Sequence, residues 1–369
     1  MRVAVVVGTR PEVIKLAPVA AELERLRVAE RVVVATGQHR ELLDQMLAQF
    51  QLVPDVDLGV MQPEQRLSDL TAELVARLGE TFRDVRPDWV VVQGDTTTTM
   101  CAALAAFYEL VPVAHVEAGL RTGDAYAPFP EEVNRRLVTR IASLHFCPTR
   151  ASAENLALEA VPDELVQVTG NTVIDALLSA VERARRLPPA VERMRPRRIL
   201  LTLHRRESHG EATRAVCEAV RALAVRPDTE VVFPVHRNPA VREVVLAALA
   251  DVDGVHLCEP LDYLSLVQVL DSCDVVLTDS GGLQEEAPAL GKPILVLRDT
   301  TERPEAIAAG VARLVGTNPA VIVGAATTLL DDPHAYAAMA HRENPFGDGH
   351  ASGRIVRALA EHSGLARVA

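Results

Sequence analysis

The stretch that decides the fold is WVVVQGDTTTTMCAALAAFYELVPVAHVE, residues 89–117. Its first part, WVVVQ (89–93), is an apolar β-branched run that predicts a buried strand, and PVAHVE (112–117) predicts a second strand. Between them, CAALAAFYEL (101–110) has the period of a helix. A strand, a helix and a second strand in this order predict two parallel strands joined by a crossover helix.

The same alternation recurs along the chain. Other apolar runs in the first half lie at 3–7, 31–36 and 165–169. A second series begins after RRLPPAVERMRPRR (185–198), whose prolines and charges indicate a boundary. This series consists of ILLTLH, EVVFPV, VHLCE, DVVLTD and PILVL. We therefore expect two α/β domains, each built on a doubly wound parallel sheet.

Length and composition agree with two domains. The chain has 369 residues, more than one hydrophobic core usually holds. Hydrophobic residues make up 49% but aromatic residues only 3%, as in parallel sheets filled with Val, Leu, Ala and Ile. The five cysteines are scattered without metal-ligand spacing, so we expect reduced, buried thiols and no metal site.

Charge and hydropathy argue against large anionic partners. The formal net charge is -12, whereas nucleic acids and anionic membranes are bound by basic surfaces. No segment approaches the run of about 18 apolar residues that a membrane span needs, and the N-terminal run is too short for a signal peptide. These features predict a soluble, cytoplasmic protein that binds neither nucleic acid nor membrane.

Polar residues that follow the predicted strands are candidates for chemistry, because doubly wound sheets bind ligands at the carboxyl ends of their strands. Three carboxylates occupy such positions or open a helix: Asp95, Glu117 and Glu131. Carboxylates brought together raise one another's pKa and divide into acid and base roles. The alternative for Asp95 is a helix cap, and the alternative for Glu131 is an ordinary helix start.

Cations and a histidine are placed similarly. Arg10 and Lys15 lie around the start of the first predicted helix, where they suit a diphosphate, and Arg303 in TTERPE is a further candidate for the same anion. His204 ends the run ILLTLH and leads into two arginines. The alternatives are surface charge for Arg10 and Arg303 and a structural hydrogen bond for His204.

The segment TDSGGLQEE (278–286) predicts a phosphate site in the second domain. Ser280, Gly281 and Gly282 stand between a strand and a helix, where free backbone N–H groups and the helix dipole bind anions. Glu286, one turn later, suits ribose hydroxyls. The alternatives are an ordinary N-cap at Ser280 and a solvated carboxylate at Glu286.

Taken in order, these motifs resemble the non-hydrolysing bacterial UDP-N-acetylglucosamine (UDP-GlcNAc) 2-epimerases. The resemblance runs from GTRPEVIKLAP to NPFGDGHASGRI and includes QGDTTTT, HVEAGLRTGD, PFPEEVNRRL, LTLHRRES and TDSGGLQEEAP. It implies the glycosyltransferase-B architecture, in which two Rossmann-like doubly wound domains face each other across a cleft. We expect domains at 1–169 and 170–345, with a helix in 346–369 packing back on the first.

The resemblance also implies the activity and the site. The reaction is epimerisation at C2 between UDP-GlcNAc and UDP-N-acetylmannosamine (UDP-ManNAc), without a cofactor, in a homodimer. The implied catalytic residues are Asp95, Glu117, Glu131 and His204. The implied substrate-binding residues are Arg10, Lys15, Arg135, Ser280, Gly281, Gly282, Glu286 and Arg303. A possible regulatory site contains Gln38, Arg206 and His236.

Several rival functions share parts of this pattern. A 2-epimerase of another UDP-N-acyl sugar and a transferase of the same fold are the main alternatives, and a transferase has no need for all three carboxylates. A hydrolysing epimerase would release free sugar, and a nucleotide-sugar sensor would lack the carboxylates. A redox epimerase is disfavoured, because GTRPEV replaces the glycine-rich dinucleotide loop.

Overall fold

A computed structural model describes residues 1–37, 40–61, 64–204 and 210–363. The chain divides into two compact units. Unit 1 comprises Met1–Ala176 and Phe346–Ala369, and unit 2 comprises Leu177–Pro345. Each unit has its own sheet and its own hydrophobic core.

Unit 1 is built on a parallel sheet of seven strands, in the order β3-β2-β1-β4-β5-β6-β7. The strands are β1 (Arg2–Val7), β2 (Glu30–Ala35), β3 (Val56–Asp57), β4 (Trp89–Gln93), β5 (Val113–Val116), β6 (Leu144–Cys147) and β7 (Val166–Val168). The helices are α1 (Arg10–Leu26), α2 (Arg40–Gln49), α3 (Leu67–Val85), α4 (Thr97–Tyr108), α5 (Glu131–Ile141) and α6 (Arg150–Leu158). Helix α7 (Thr172–Ala184) begins in unit 1 and ends in unit 2. A short 3-10 helix, Asp163–Leu165, precedes β7.

The strand order of unit 1 reverses between β1 and β4. The chain winds outward from β1 to β3 on one side and from β4 to β7 on the other. At such a switch point the loops that follow the two central strands diverge and leave a crevice for a ligand. The residues after β1, β4 and β5 are therefore the ones that the fold of unit 1 places at a ligand site.

Unit 2 repeats this plan with six parallel strands, in the order β10-β9-β8-β11-β12-β13. The strands are β8 (Arg197–Thr202), β9 (Thr229–Pro234), β10 (Val255–Cys258), β11 (Val275–Thr278), β12 (Ile294–Val296) and β13 (Ala312–Leu314). The helices are α8 (Glu211–Ala224), α9 (Pro239–Leu249), α10 (Tyr263–Ser272), α11 (Gly281–Ala289), α12 (Pro304–Ala308), α13 (Pro319–Asp331) and α14 (Pro333–Ala340). The order reverses between β8 and β11, so the prediction of two Rossmann-like domains is confirmed.

Some elements differ from the sequence-based expectation. The strands β3, β6 and β13 were not among the predicted apolar runs. They have two, four and three residues, and β6 carries a histidine, so none forms a long uninterrupted apolar run. Helix α4 begins at Thr97, four residues before the predicted segment, because the buried threonines of QGDTTTT form its first turn.

The last helix, α15 (Ala351–His362), belongs to unit 1 and packs against α1. Its N-terminus is held by the carboxylate of Asp175 in α7, which accepts hydrogen bonds from the N–H of Ala351 at 3.2 Å and of Ser352 at 2.8 Å. A carboxylate at a helix N-terminus satisfies amides that have no intrahelical acceptor. The C-terminal segment is thus fixed to the first unit.

The structure bears on two further expectations: that the thiols are reduced and buried, and that no segment spans a membrane. All five cysteines are free, and four are buried, but Cys258 is only partly buried, so the expectation of buried thiols is wrong for that residue. Within the described ranges, no helix combines the length and apolarity needed to traverse a bilayer.

Two buried histidines lie side by side on neighbouring strands of the unit 1 sheet, and they make the stability of the fold depend on pH. His115 in β5 lies opposite His145 in β6. Burial lowers the pKa of His115 to about 3 and that of His145 to about 4. The unfolded chain therefore binds protons near pH 6.5 while the folded chain does not, and stability falls as the pH drops from about 6.5 towards 4.

We expect the double variant His115→Gln/His145→Gln to have a flatter acid limb in a plot of unfolding free energy against pH. Each histidine contributes a slope of at most about 1.4 kcal/mol per pH unit in that window. Urea unfolding at several pH values measures the slope, with the exposed pair His334→Gln/His341→Gln as control. Equal slopes in the wild type and the buried-pair variant would contradict the prediction.

Candidate active site

Glu117 lies directly after β5 and is held by three donors in unit 1. Its Oε1 accepts from Lys15 Nζ at 2.5 Å and from Asn171 Nδ2 at 2.9 Å, and its Oε2 accepts from Gln93 Nε2. The residue has φ 61, a left-handed conformation that is uncommon for a side chain of this size. The surroundings therefore fix a nearly buried carboxylate in one orientation at the sheet edge.

Asp95 follows β4 and meets Arg135 of α5. Arg135 Nη2 donates to Asp95 Oδ2, and Asn134 Nδ2 donates to the Asp95 carbonyl at 2.9 Å. Burial raises the pKa of Asp95; the Arg135 charge opposes this rise, and the nearby Glu117 charge adds to it. The cap of α4 is Thr96, whose hydroxyl accepts from Thr99 N at 3.1 Å. The alternative reading of Asp95 as a helix cap is therefore wrong.

Glu131 and Glu132 open α5 with different surroundings. Glu131 Oε2 is buried and has no hydrogen-bond partner among the described residues. An unpaired buried carboxylate oxygen is costly, so its presence calls for an explanation. Glu132 is fully buried and accepts from Thr122 N at 3.0 Å, Arg135 Nη1 at 3.2 Å and Arg136 Nη2 at 2.7 Å. Burial opposes ionisation of Glu132, but these donors outweigh it and lower its pKa.

The start of α1 places Arg10 and Lys15 at the same edge of the sheet. Arg10 is the first residue of the helix and is exposed. Between them, the buried Glu12 accepts from Gly8 N at 2.8 Å and Thr9 N at 2.7 Å, and from Thr96 Oγ1 at 2.5 Å. This carboxylate joins the loop after β1 to the N-terminus of α4.

We expect Glu12→Ala to lower the free energy of unfolding by about 2–4 kcal/mol, because it leaves two buried N–H groups without an acceptor. Chemical denaturation measures the loss. Glu24→Ala, on the exposed side of the same helix and paired with Arg31 at 2.9 Å, is the control and is expected to lose at most about 1 kcal/mol. Similar losses in both variants would contradict the assigned role of Glu12.

In unit 2, His204 and Asp279 follow the two central strands β8 and β11. His204 Nδ1 lies 2.9 Å from Asp279 Oδ1, and the His204 N–H lies 3.0 Å from Asp279 Oδ2. Asp279 is fully buried, while the His204 side chain is 45% exposed. A buried carboxylate that accepts from Nδ1–H fixes the tautomer and the orientation of the ring. The exposed Nε2 is then available to an anion.

Ser280, Gly281 and Gly282 form the N-terminus of α11 next to this pair. Ser280 is the N-cap, but its hydroxyl makes no capping bond; its N–H donates to Thr278 Oγ1 at 2.9 Å. The two glycines are the first helical residues, whose N–H groups have no intrahelical acceptor. Ser280 therefore occupies the N-cap position, as the alternative has it, but without a side-chain capping bond, and the helix end presents amides that suit a phosphate.

Glu286 is buried in α11, so the reading of it as a solvated carboxylate is wrong. Tyr263 of α10 donates its hydroxyl to Glu286 Oε1 at 3.2 Å. Burial, reinforced by the Glu286 charge, raises the pKa of Tyr263 well above its usual value, so the phenol stays protonated as a donor.

Arg303 is the N-cap of α12, and its Nε donates to Glu285 Oε1. Its N–H donates to Thr301 Oγ1 at 3.0 Å, and Thr301 donates in turn to Gln284 Oε1 at 2.6 Å. This network ties Arg303 to the side of α11. The alternative of a loose surface charge does not describe the residue, because its side chain is only 20% exposed.

The three residues of the possible regulatory site are less informative. Gln38 and Arg206 lie outside the described residues. His236, after β9, is exposed, and its Nδ1 accepts from Asn238 N at 3.1 Å.

Sequence reasoning missed several residues that shape these sites: Gln93, Asn171, Asn134, Glu132, Glu12 and Asp279. Glu12 had a readable signal, since Thr9 and Glu12 have the spacing of a capping box. Asp279 was quoted within its motif but not as the partner of His204. The others depend on contacts between distant segments, such as Asn171 with Glu117.

The arrangement combines charged groups suited to proton transfer and anion binding. Asp95 and Glu117 have different partners, which favours different acid–base roles. Within the described part of the chain, no group of three or more His, Cys, Asp or Glu residues has a geometry that would hold a metal ion.

Comparison with known proteins places this geometry among related chains. A family model described as UDP-N-acetylglucosamine 2-epimerase matches residues 21–360. A probable UDP-N-acetylglucosamine 2-epimerase of Ralstonia nicotianae is 51% identical, over 97% of this chain and 98% of the relative. The UDP-N-acetylglucosamine 2-epimerase of Escherichia coli K12 is 48% identical, over 97% and 98%. The crystal structure of the Neisseria meningitidis UDP-GlcNAc 2-epimerase bound to UDP-GlcNAc is 46% identical, with a TM-score of 0.86 over 98% of this chain and 100% of that chain.

Proposed function

This chain belongs to the UDP-N-acetylglucosamine 2-epimerase family, and we propose on that premise that it interconverts UDP-GlcNAc and UDP-ManNAc by eliminating and re-adding UDP. The enzyme is thus an isomerase. No separate cofactor takes part in the proposed reaction.

The chemistry explains why elimination is needed. The C2–H bond of the sugar is not acidic, because no carbonyl lies beside C2, so simple removal of the proton is too slow. In the elimination, a carboxylate takes the C2 proton, the C1–C2 double bond forms, and the C1–O bond breaks with its electron pair leaving on UDP. The products, 2-acetamidoglucal and UDP, stay bound and add back with C2 inverted.

We assign the proton transfers at C2 to Asp95 and Glu131 and the stabilisation of positive charge at C1 to Glu117. The raised pKa of Asp95 suits a group that takes and returns a proton. Glu131 Oε2 has no hydrogen-bond partner among the described residues, so its capacity to accept a proton is not taken up by a neighbouring side chain. Glu117 is paired with Lys15, which holds its carboxylate in a fixed position for a cationic C1.

Binding and stabilisation of the leaving diphosphate are assigned to cationic side chains and to the backbone amides at a helix N-terminus. In this proposal, Arg10 and His204 stabilise its developing charge, and the amides of Gly281 and Gly282 bind phosphate at the N-terminus of α11. We assign ribose binding to Glu286, and Ser280 and Arg303 to the same UDP site. Arg135, beside Asp95, completes the proposed substrate contacts.

The observation that carries this proposal is the pair of carboxylates that end neighbouring strands β4 and β5. Asp95 and Glu117 are close enough for the charge of Glu117 to raise the Asp95 pKa. Each is fixed by its own cation, Arg135 or Lys15. A transferase of this fold that binds only UDP in its second domain has no need of this pair.

Incubation of the purified full chain with UDP-GlcNAc in D₂O, with no cofactor added, tests the function by proton NMR. We expect UDP-ManNAc to form with deuterium at C2. Free N-acetylmannosamine and UDP would instead establish hydrolysis. No reaction, either alone or with a small seed of UDP-ManNAc, would contradict the assignment and favour another UDP-N-acyl sugar or a transferase.

We also propose a homodimer that works in the cytoplasm. Exposed apolar side chains on the adjoining helices α4 and α5, including Phe107, Val133 and Leu137, support self-association of unit 1. The five free cysteines are in keeping with a reducing compartment. Light scattering should find a dimer in the wild type and in Leu158→Asp but a monomer in Leu137→Asp, and cell fractionation tests the location.

A further inference from the structure

His115 is a buried residue next to the proposed carboxylate pair, and none of the assignments above uses it. It lies in β5, two residues before Glu117, and has 0% of its surface exposed. A polar side chain in such a position must be satisfied by its neighbours. The hydrogen-bond partner of His115 therefore indicates its role.

The ring of His115 is hydrogen-bonded to the turn that carries Asp95. Its Nε2 lies 2.7 Å from the carbonyl oxygen of Gly94, the residue before Asp95. A carbonyl oxygen only accepts, so Nε2 carries the proton and the tautomer is fixed. Nδ1 is buried without a partner among the described residues, so this one bond anchors the ring.

The turn at Gly94 is where Asp95 and Glu117 come together. Gly94 has φ 72 and donates its N–H to Val116 O at 3.0 Å. A Cβ atom placed on Gly94 would lie 3.6 Å from Glu117 Oε2. The carbonyl of Gly94 shares its planar peptide group with the Asp95 nitrogen, so holding that carbonyl sets the direction in which Asp95 leaves the strand.

From these contacts we infer that His115 is a positioning residue: its Nε2–H, bonded to the Gly94 carbonyl, sets the spacing of Asp95 from Glu117. The inference rests on the proposed function, in which these carboxylates act on adjacent carbons of one sugar. The ring touches no substrate. It acts through the peptide group that joins Gly94 to Asp95.

Spacing matters more for this reaction than for a single proton transfer. After elimination, the glycal must wait in place until C2 is reprotonated from the opposite side and UDP has added back to C1. A displacement of about 1 Å in a reacting group lowers the rate by about 100-fold. A misplaced Asp95 also gives the glycal and UDP more time to dissociate. More glycal is then released for each UDP-ManNAc formed.

The variants His115→Asn and His115→Gln test the inference as a matched pair. Glutamine places an amide N–H near the position of Nε2, whereas asparagine is too short to reach the Gly94 carbonyl. We expect kcat of His115→Asn to fall about 100-fold with KM within about threefold, because positioning rather than binding is lost. His115→Gln should recover kcat to within about tenfold of the wild type.

The decisive readout is the amount of free 2-acetamidoglucal released per UDP-ManNAc formed, measured by proton NMR. This ratio does not depend on how much of the protein is folded. We expect it to rise in His115→Asn and to stay at the wild-type value in His145→Asn, the control. His145 is equally buried on the neighbouring strand but belongs to β6, away from the Gly94 turn.

The outcomes separate this inference from the proposed function. Wild-type kcat and release ratio in His115→Asn, or an equal change in His145→Asn, would overturn the positioning role while leaving the epimerase intact. Failure of His115→Gln to exceed His115→Asn would overturn it as well. Absence of UDP-ManNAc with the wild type would overturn the proposed function and this inference with it.

Discussion

Asp95→Asn should lower kcat by about 10²–10⁴-fold, the usual contribution of a positioned acid or base. The amide keeps the shape of the side chain but cannot take the C2 proton. Arg135 retains its bond to Glu132, so its guanidinium is not left without a carboxylate. KM for UDP-GlcNAc should therefore change by only a fewfold, since binding of the nucleotide is assigned to other residues.

Initial rates of UDP-ManNAc formation, measured over a range of UDP-GlcNAc concentrations, check the Asp95→Asn prediction. Asp84→Asn, an exposed aspartate in α3 of the same unit, is the control and should retain wild-type kinetics. Thermal unfolding of both variants reports whether the fold is preserved. If folded Asp95→Asn kept more than about a tenth of wild-type kcat, Asp95 would not be the proton-transfer group.

Asp279→Asn should lower kcat by about 10²–10³-fold, although the side chain of Asp279 is fully buried. The carboxylate accepts from both the backbone N–H and the ring of His204. An asparagine side chain in its place carries no charge and can turn its NH₂ group towards Nδ1, which favours the other tautomer of the ring. His204 would then lose its effect on the leaving diphosphate.

A double-mutant cycle checks whether Asp279 acts through His204. The variant Asp279→Asn/His204→Asn should be no slower than His204→Asn alone, because residues that act as one unit are not additive. Additive losses would show that Asp279 acts independently of the histidine.

Periodicity and strand ends were enough to predict the fold class and the region of the site. Asp95, Glu117 and His204 were found because each stands immediately after a long apolar run, and Ser280 to Gly282 because glycines separate a strand from a helix. In a doubly wound sheet those positions are ligand positions whatever the chemistry. Their roles came from resemblance, since the residue types alone also fit caps and surface charges.

What the sequence did not reveal depends on contacts between distant segments. Lys15 looked like a cation for a diphosphate, but in the folded chain it pairs with Glu117, and Asn171 reaches the same carboxylate. The strand β6 was missed because its four residues, LHFC, include no β-branched residue and form no apolar run like those of the predicted strands.

Breakage of the C1–O bond is the central claim of this account, and positional isotope exchange tests it most directly. UDP-GlcNAc is prepared with a heavy-oxygen label in the atom that bridges C1 and the β-phosphorus, and its phosphorus NMR spectrum is followed with enzyme present. If UDP is released within the site and re-added, the label should spread to the non-bridging β-phosphate oxygens. Formation of UDP-ManNAc with all of the label still in the bridge would contradict elimination.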